Sequence, residues 1–333
     1  MAGEARLADR PSVMAGTVPN VSVVVPCHNA APWIEATLTS VLAQDWPGLE
    51  VIVVDDGSVD DSADRVARRF PQVRLLRQAN AGVAAARNAG LKAASGDWVA
   101  FVDADDHWLP GKLRVQMALL AANPQARMAC APWYVWTSDD PHPPAAWLTA
   151  AGVSDSLPRV GLGPSGWIYP ELLLSCIVWT STVVADRQLL VELGGFDEQL
   201  KVGEDYDLWL RASRRTPIVR ADRPLALYRQ HPGSLTRRPP AQNYEGTVVR
   251  LALRRWGHAG PDGRRADPRA VALSLARTWH GFGHAHLQRG SLRHGLRGAW
   301  QALRADWRHL PAWKLMVKCL LWPLLPGTRR TAT

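Results

Sequence analysis

Two acidic clusters, Val51-Ile-Val-Val-Asp55-Asp-Gly-Ser58 and Trp98-Val-Ala-Phe-Val-Asp103-Ala-Asp-Asp106, each close a strand-like apolar run with carboxylates. Open α/β sheets bind ligands beyond the carboxyl ends of their strands, which is where such carboxylates converge. Asp103 and Asp105, separated by Ala104, can face the same way from an extended strand end. With Asp106 beside them they supply hard oxygen ligands suited to Mg²⁺ or Mn²⁺. Such an ion bridges phosphate oxygens and neutralises charge growing on a departing diphosphate. Asp55 or Asp56 can accept hydrogen bonds from a base or ribose, with Gly57 allowing the tight turn and Ser58 starting the next helix. The chemistry is that of an enzyme handling an activated, phosphate-bearing donor. Its plain alternative, carboxylates that merely cap helices and solvate loops, suits one such cluster better than two.

These clusters need a sheet to carry them. Val21–Val25 reads as a buried parallel strand stopped at Pro26, and Trp33–Leu42 as a helix burying Ile34, Leu38, Val41 and Leu42. Val51–Val54 forms the second strand, Asp60–Phe70 a helix capped by Ser58 with Asp61 three residues on, and Val73–Leu76 a third strand. A helix over Ala84–Ala94 and a strand over Asp97–Val102 complete a doubly wound α/β start. A helix over Leu109–Leu120 follows. Residues 128–170 are rich in Trp, Pro and Gly and read as strands and loops, Ser175–Val184 as a strand, and Asp205–Ala212 as a helix. From Asn243 the propensity is helical, with a break at Gly257–Pro268. The division expected is a flexible leader over 1–19, a catalytic domain over 20–240 (donor half 20–106, acceptor half 107–240) and a helical, basic region over 241–333.

Bulk properties narrow the class. A chain of 333 residues, 47% hydrophobic, buries a large core and is not disordered. The net charge of +9 suits phosphorylated ligands or an anionic membrane surface, and its arginine excess lies late in the chain. Cys27, Cys130, Cys176 and Cys319 have no metal-ligand spacing and read as free thiols of a reducing cytoplasm. No run reaches the roughly 20 apolar residues a spanning helix needs. The run Trp313–Leu325, with Trp, Leu and flanking cations, suits a helix lying at a membrane interface. No Gly-x-Gly-x-x-Gly turn follows the first strand, and no Walker A loop occurs. Phe101–Asp105 only superficially matches an aspartyl-phosphate phosphatase, since His107 stands where that pattern carries Thr or Val. The arginines are not interleaved with a stacking platform, so no nucleic acid is expected as partner.

The ordered segments Val21-Ser-Val-Val-Val-Pro-Cys-His-Asn29, Ser40-Val-Leu-Ala-Gln44, Val54-Asp-Asp-Gly-Ser58, Asn80–Gly90, Phe101–Asp106, Gly194-Gly-Phe-Asp197 and Gly203-Glu-Asp-Tyr-Asp-Leu-Trp209 carry a resemblance. Over residues 20–237 the chain is similar to a family 2 glycosyltransferase. The resemblance implies a GT-A fold, a mostly parallel doubly wound sheet with flanking helices, here with a helical C-terminal appendage. It implies inverting transfer of a sugar from a nucleotide diphosphate, expected to be UDP-linked, to a hydroxyl of a glycan or glycolipid in cell-surface polysaccharide synthesis. A polyprenyl-phosphate sugar synthase shares the early motifs, and a noncatalytic nucleotide-sugar binder is the rival outside enzymes. The site is expected to be cytoplasmic, peripheral to the membrane, and the assembly a homodimer.

The resemblance also implies roles. Pro26, His28 and Asn29 border the base, Asp56 contacts it and Asp55 supports the turn. Arg87 approaches base or diphosphate. Asp103, Ala104 and Asp105 form the Asp-x-Asp element, Asp105 touching ribose or metal and Asp106 ligating the metal. Asp205 is the base that takes the acceptor proton, and Glu204 contacts acceptor or donor sugar. In Tyr228–Arg237, His231 completes the Mn²⁺ or Mg²⁺ shell while Arg229 and Arg237 hold the diphosphate. Trp179, Thr180 and Ser181 line the acceptor pocket. His280, His284 and His286 are expected to bind no metal.

Overall fold

The computed structural model describes residues 18–148, 157–234 and 239–322. Arg237, residues 1–17 of the leader and the end of the C-terminal apolar run lie outside them. Strands β1 (Val21–Cys27), β2 (Leu49–Asp56), β3 (Arg74–Gln78) and β4 (Trp98–Phe101) alternate with helices α1 (Ile34–Leu42), α2 (Ser62–Arg69) and α3 (Val83–Ala93). They pair in parallel in the order β4-β1-β2-β3. β1 is buried at every position because it is central and covered on both faces, which explains its unbroken apolar run. β3 is the edge strand, blunted by Arg74 and Arg77.

After β4 the chain makes β5 (His107–Trp108), α4 (Lys112–Ala122), β6 (Met128–Cys130), β7 (Trp133–Thr137) and β8 (Arg159–Val160). There follow α5 (Tyr169–Leu172), β9 (Val184–Asp186), α6 (Arg187–Glu192), α7 (Glu204–Ala212), β10 (Ile218–Arg220) and β11 (Ala226–Gln230). Strand β9 runs antiparallel between β4 and β6, and β10 adds outside β6, giving a seven-stranded sheet that is mostly parallel. A second, four-stranded sheet in the order β5-β11-β7-β8 stands over the loop that carries Asp103–Asp106.

Two local expectations are corrected. The second helix starts at Ser62, two residues past Asp60, and Ser58 does not cap it; Asp60 Oδ1 accepts from Ser62 N at 3.0 Å. The strand expected over Ser175–Val184 is a 3₁₀ turn at Thr180–Thr182 followed by β9. There the hydroxyls compete with a ladder: Thr182 Oγ1 donates to the Trp179 carbonyl at 2.7 Å, and Thr180 and Ser181 donate to carboxylates.

Helices α8 (Tyr244–Trp256), α9 (Pro268–Gln288), α10 (Leu292–Ala305) and α11 (Leu310–Leu321) form the C-terminal region. Its first part is not separate: Val248, Val249, Ala252, Val271 and Leu275 share the main core with Phe101, Tyr206 and Trp209. The core therefore crosses the boundary drawn at 240. Further on, α9 and α10 cross so closely that a Cβ on Gly298 would stand 2.4 Å from the Gly283 Cα, so only glycine fits there. No helix among the described residues is long and apolar enough to cross a membrane.

Candidate active site

The site begins at the ends of β1 and β2. Gly57 turns the chain at φ +72°, and a Cβ there would meet the Asn80 amide nitrogen at 2.7 Å. Asp55 Oδ1 accepts from Ser58 N at 3.3 Å within that turn. Asp56 is buried, and its carboxylate accepts from Gln78 Nε2 at 2.7 Å, Ala81 N at 2.9 Å and Gly82 N at 2.8 Å. It thereby fixes the loop entering α3. His28 Nδ1 donates to the Asp56 carbonyl at 2.9 Å, and Nε2 accepts from Asn29 Nδ2 at 3.1 Å. Pro26, one residue before the end of β1, pairs in register with Val54. Pro26, His28, Asn29, Asp55 and Asp56 are thus brought together.

The second cluster is held by a scaffold that the early motifs supply. Thr37 Oγ1 donates to the carbonyls of Ala104 and Asp106, at 2.9 and 2.7 Å. Ser40 Oγ accepts from Trp108 N at 3.1 Å, and Gln44 Nε2 donates to the Leu109 carbonyl at 3.1 Å. The segment Ser40–Gln44 therefore acts by positioning the loop that follows the aspartates.

Arg87 departs from the expectation. It is 4% exposed, with Nη1 donating to Glu204 Oε1 and Nη2 to Asp103 Oδ1, both at 2.6 Å. Its guanidinium also lies 5.3 Å from the Phe196 ring centre. Both arms are committed to carboxylates, so it joins Asp103 to α7 instead of facing a diphosphate. Its neighbour Asn88 pins the Gly194–Asp197 turn, donating to the Phe196 carbonyl at 2.9 Å and accepting from Phe196 N at 2.8 Å.

Helix α7 opens with the Glu204-Asp205 pair. Burial pushes the Glu204 carboxyl up to about 7, Arg87 pulling it down while Asp205 and Asp103 add to the rise. Asp205 is only partly buried; its Oδ2 accepts from Thr180 Oγ1 at 2.8 Å and its Oδ1 from Tyr206 N at 2.7 Å. Thr180 is fully buried, so it holds Asp205 and does not reach an acceptor. Ser181, also fully buried, donates to Asp106 Oδ2 at 2.6 Å and accepts from Asp103 N at 3.1 Å. Of the expected acceptor residues, Trp179 alone is partly exposed, its ring 5.0 Å from Tyr228 and 5.4 Å from Trp133.

Arg229 is the second arginine to depart. It is 1% exposed, its Nε donates to the Asp105 carbonyl at 2.8 Å, and Nη2 donates to the Pro141 carbonyl at 2.7 Å. Nη1 donates to the Asp140 carbonyl, and the guanidinium stacks 4.0 Å from Trp136 and 4.7 Å from Trp33. It braces the aspartate loop against the second sheet. Asp106, expected as a metal ligand, is 1% exposed, and its two oxygens accept from Ser181 Oγ and from Arg229 N (3.1 Å).

Asp105 and His231 remain as facing donors, with Asp105 Oδ2 and His231 Nε2 3.1 Å apart and side chains 29% and 15% exposed. Carboxylate oxygen and imidazole nitrogen both suit Mn²⁺ or Mg²⁺. Burial also holds the Asp103 carboxyl above its usual range, opposed by Arg87 and reinforced by Asp105. A nearby cation would relieve that repulsion, so the residues fit a divalent ion. No closed cage of three such side chains forms among the described residues; Mg²⁺ sites commonly use one or two carboxylates plus substrate phosphates. The Gly233 amide donates to His231 Nδ1 at 3.2 Å, which puts the ring proton on Nε2, towards Asp105.

Sequence reasoning missed Gln78 and Trp33. Gln78 was within reach, because β3 pairs it in register with Asp56. Trp33, whose ring lies 4.9 Å from His231, gave no signal beyond its place at a helix start.

A mostly parallel sheet that brings two carboxylate clusters to one edge, closed by a helix opening with Glu-Asp, defines a glycosyltransferase of GT-A fold. The chain belongs to glycosyltransferase family 2. The family model for Glycosyl transferase family 2 matches residues 22–158, and that for Glycosyltransferase like family 2 matches residues 165–256. The chain is 32% identical over 194 residues to the Escherichia coli UDP-Glc:alpha-D-GlcNAc-diphosphoundecaprenol beta-1,3-glucosyltransferase WfgD, covering 57% of this chain and 68% of WfgD. An uncharacterized glycosyltransferase of Rickettsia conorii is 27% identical over 73% of this chain, which spans 39% of that protein's length. S. aureus TarS in complex with UDP superposes with a TM-score of 0.59 at 21% identity, covering 90% of this chain and 88% of that one. TarS with UDP-GlcNAc gives a TM-score of 0.58 at 17% identity, covering 92% of each.

Proposed function

We propose that this chain transfers a sugar, with inversion, from a UDP-linked donor to a hydroxyl of a lipid-linked glycan in cell-surface polysaccharide synthesis. The observation that carries the reading is the placement of Asp205. It opens α7 partly exposed, steadied by Thr180, and its neighbour Glu204 is tied through Arg87 to the Asp103 end of the donor cluster. Asp205 removes the acceptor proton as the new oxygen–carbon bond forms at the anomeric centre. The bond to the diphosphate breaks with its electron pair leaving on the nucleotide. Attack from the face opposite that leaving group inverts the centre.

A divalent ion, when bound, supplies charge neutralisation for the departing diphosphate; Asp105 and His231 would hold it, with Asp103 beside them. Pro26, His28, Asn29 and Asp56 shape the base end of the pocket, and Trp179 offers a flat face to the acceptor. WfgD, which uses UDP-Glc and a diphosphoundecaprenol-linked acceptor, supports the reading of both substrates, and UDP is also the nucleotide bound to TarS, which shares the fold. A site on the cytoplasmic face and a homodimer belong to the same reading. Proton NMR of the first-formed product tests the mechanism. An α-linked UDP-sugar should yield a β-linked product, whose large anomeric coupling is diagnostic for a gluco-configured sugar. An α-linked initial product would overturn the single displacement.

A further inference from the structure

Helix α11 is apolar on two opposite faces, and only one of them is covered by the fold. Ala312, Leu315 and Cys319 pack inward, with Leu315 and Cys319 against Leu287 and Ala299. On the other side Leu310, Trp313, Val317, Leu320 and Leu321 stand 69%, 48%, 51%, 64% and 48% exposed. At 3.6 residues per turn these five positions share one stripe about 100° wide, centred roughly opposite the buried one. Solvent does not stabilise so large an apolar stripe on a helix end.

The stripe extends beyond the helix and carries charge beside it. Trp313 Nε1 donates to the Trp307 carbonyl at 2.8 Å, and Trp307, 67% exposed, lies 5.3 Å from the Arg308 guanidinium. Lys314 and Lys318 follow one flank of the stripe and line a shallow depression with Trp313, Val317 and Leu321. Between residues 289 and 322 the chain has five arginines and two lysines against one acidic residue, Asp306. Indole rings at the rim, an aliphatic centre and a cationic margin are the features of a helix lying in the plane of a bilayer.

We infer that this face of α11, with Trp307 and Arg308, docks the protein onto an anionic bilayer surface. Leu310, Val317, Leu320 and Leu321 enter the headgroup boundary, while Lys314, Lys318 and Arg308 meet lipid phosphates. The preference for a bilayer over a protein occupant rests in part on the lipid-linked acceptor proposed above; the apolar and cationic geometry stands without it.

The test is co-sedimentation of the full chain with vesicles of roughly 7:3 phosphatidylcholine to phosphatidylglycerol, beside vesicles of phosphatidylcholine alone. The wild type should partition onto the anionic vesicles. Val317→Asp/Leu320→Asp should lower that partitioning about tenfold or more, and Lys314→Glu/Lys318→Glu should abolish the preference for anionic lipid. Both variants should keep wild-type thermal midpoints and wild-type transfer to a water-soluble acceptor, because all four side chains are exposed and outside the site. Wild type left in the supernatant, or unaltered partitioning of Val317→Asp/Leu320→Asp, would overturn the inference. So would a wild-type dimer that this variant splits, since a second copy would then be the occupant. Vesicle binding by a protein inactive on every lipid-linked acceptor would uphold the docking face and remove the acceptor assignment instead.

Discussion

Asp205→Asn is expected to lower turnover by about 10²- to 10⁴-fold, the range a positioned general base contributes, while donor affinity and stability stay at wild-type values. The substitution keeps the local bonding. The amide oxygen can still accept from Tyr206 N, and the Thr180 hydroxyl can rotate to accept from the new amide nitrogen instead of donating. What disappears is the lone pair that receives the acceptor proton. Single-turnover kinetics with saturating donor, alongside calorimetric donor binding, separates the two effects. A variant that binds donor normally and turns over within about tenfold of wild type would transfer the base role to Glu204, which burial places near neutrality.

The second large effect is structural and falls on Arg87. Its guanidinium is the cation shared by Asp103 and Glu204; Arg87 and Glu204 are buried, while the Asp103 side chain is 29% exposed. Arg87→Met keeps the bulk and the contact with Phe196 but strands two carboxylates. Removing one partner of a buried ion pair commonly costs about 3–5 kcal/mol, and a shift of that size should appear in urea unfolding at pH 7 with an unchanged slope. The cost comes from the charge left behind, so adding Glu204→Gln should make Arg87→Met/Glu204→Gln more stable than Arg87→Met alone. If Arg87→Met unfolds within about 1 kcal/mol of wild type, or if the second substitution destabilises it further, Arg87 does not serve as the shared counterion.

These two residues illustrate what the sequence made legible. The alternation of apolar runs and amphipathic segments placed β1 to β4 and α1 to α3 within a few residues, because parallel strands buried on both faces carry a strong signal. The order of short motifs pointed to the family and so to the strand ends where the site lies. Side-chain direction was not legible. Arg87, Arg229, Asp106, Thr180 and Ser181 were expected to face a ligand, yet each is buried and spends its hydrogen bonds on another residue of the site. Spacing along the chain cannot tell a ligand-facing group from the neighbour that holds it. That distinction depends on contacts between residues as distant as Arg87 and Glu204, or Arg229 and Asp106. The turn at Thr180–Thr182 read as a strand for a related reason, since β-branched residues suit strands until their hydroxyls find closer partners.

On the reading proposed above, the two carboxylate clusters form a nucleotide-sugar site whose ion-facing member is Asp105. Titration calorimetry of UDP-sugars, with and without Mn²⁺, against wild type and Asp105→Ala decides it. Wild type should bind a UDP-sugar more tightly with Mn²⁺, and Asp105→Ala should stay folded but lose that enhancement. Folded wild-type protein that binds no UDP-sugar under either condition, or an Asp105→Ala variant whose Mn²⁺ enhancement is intact, would contradict it.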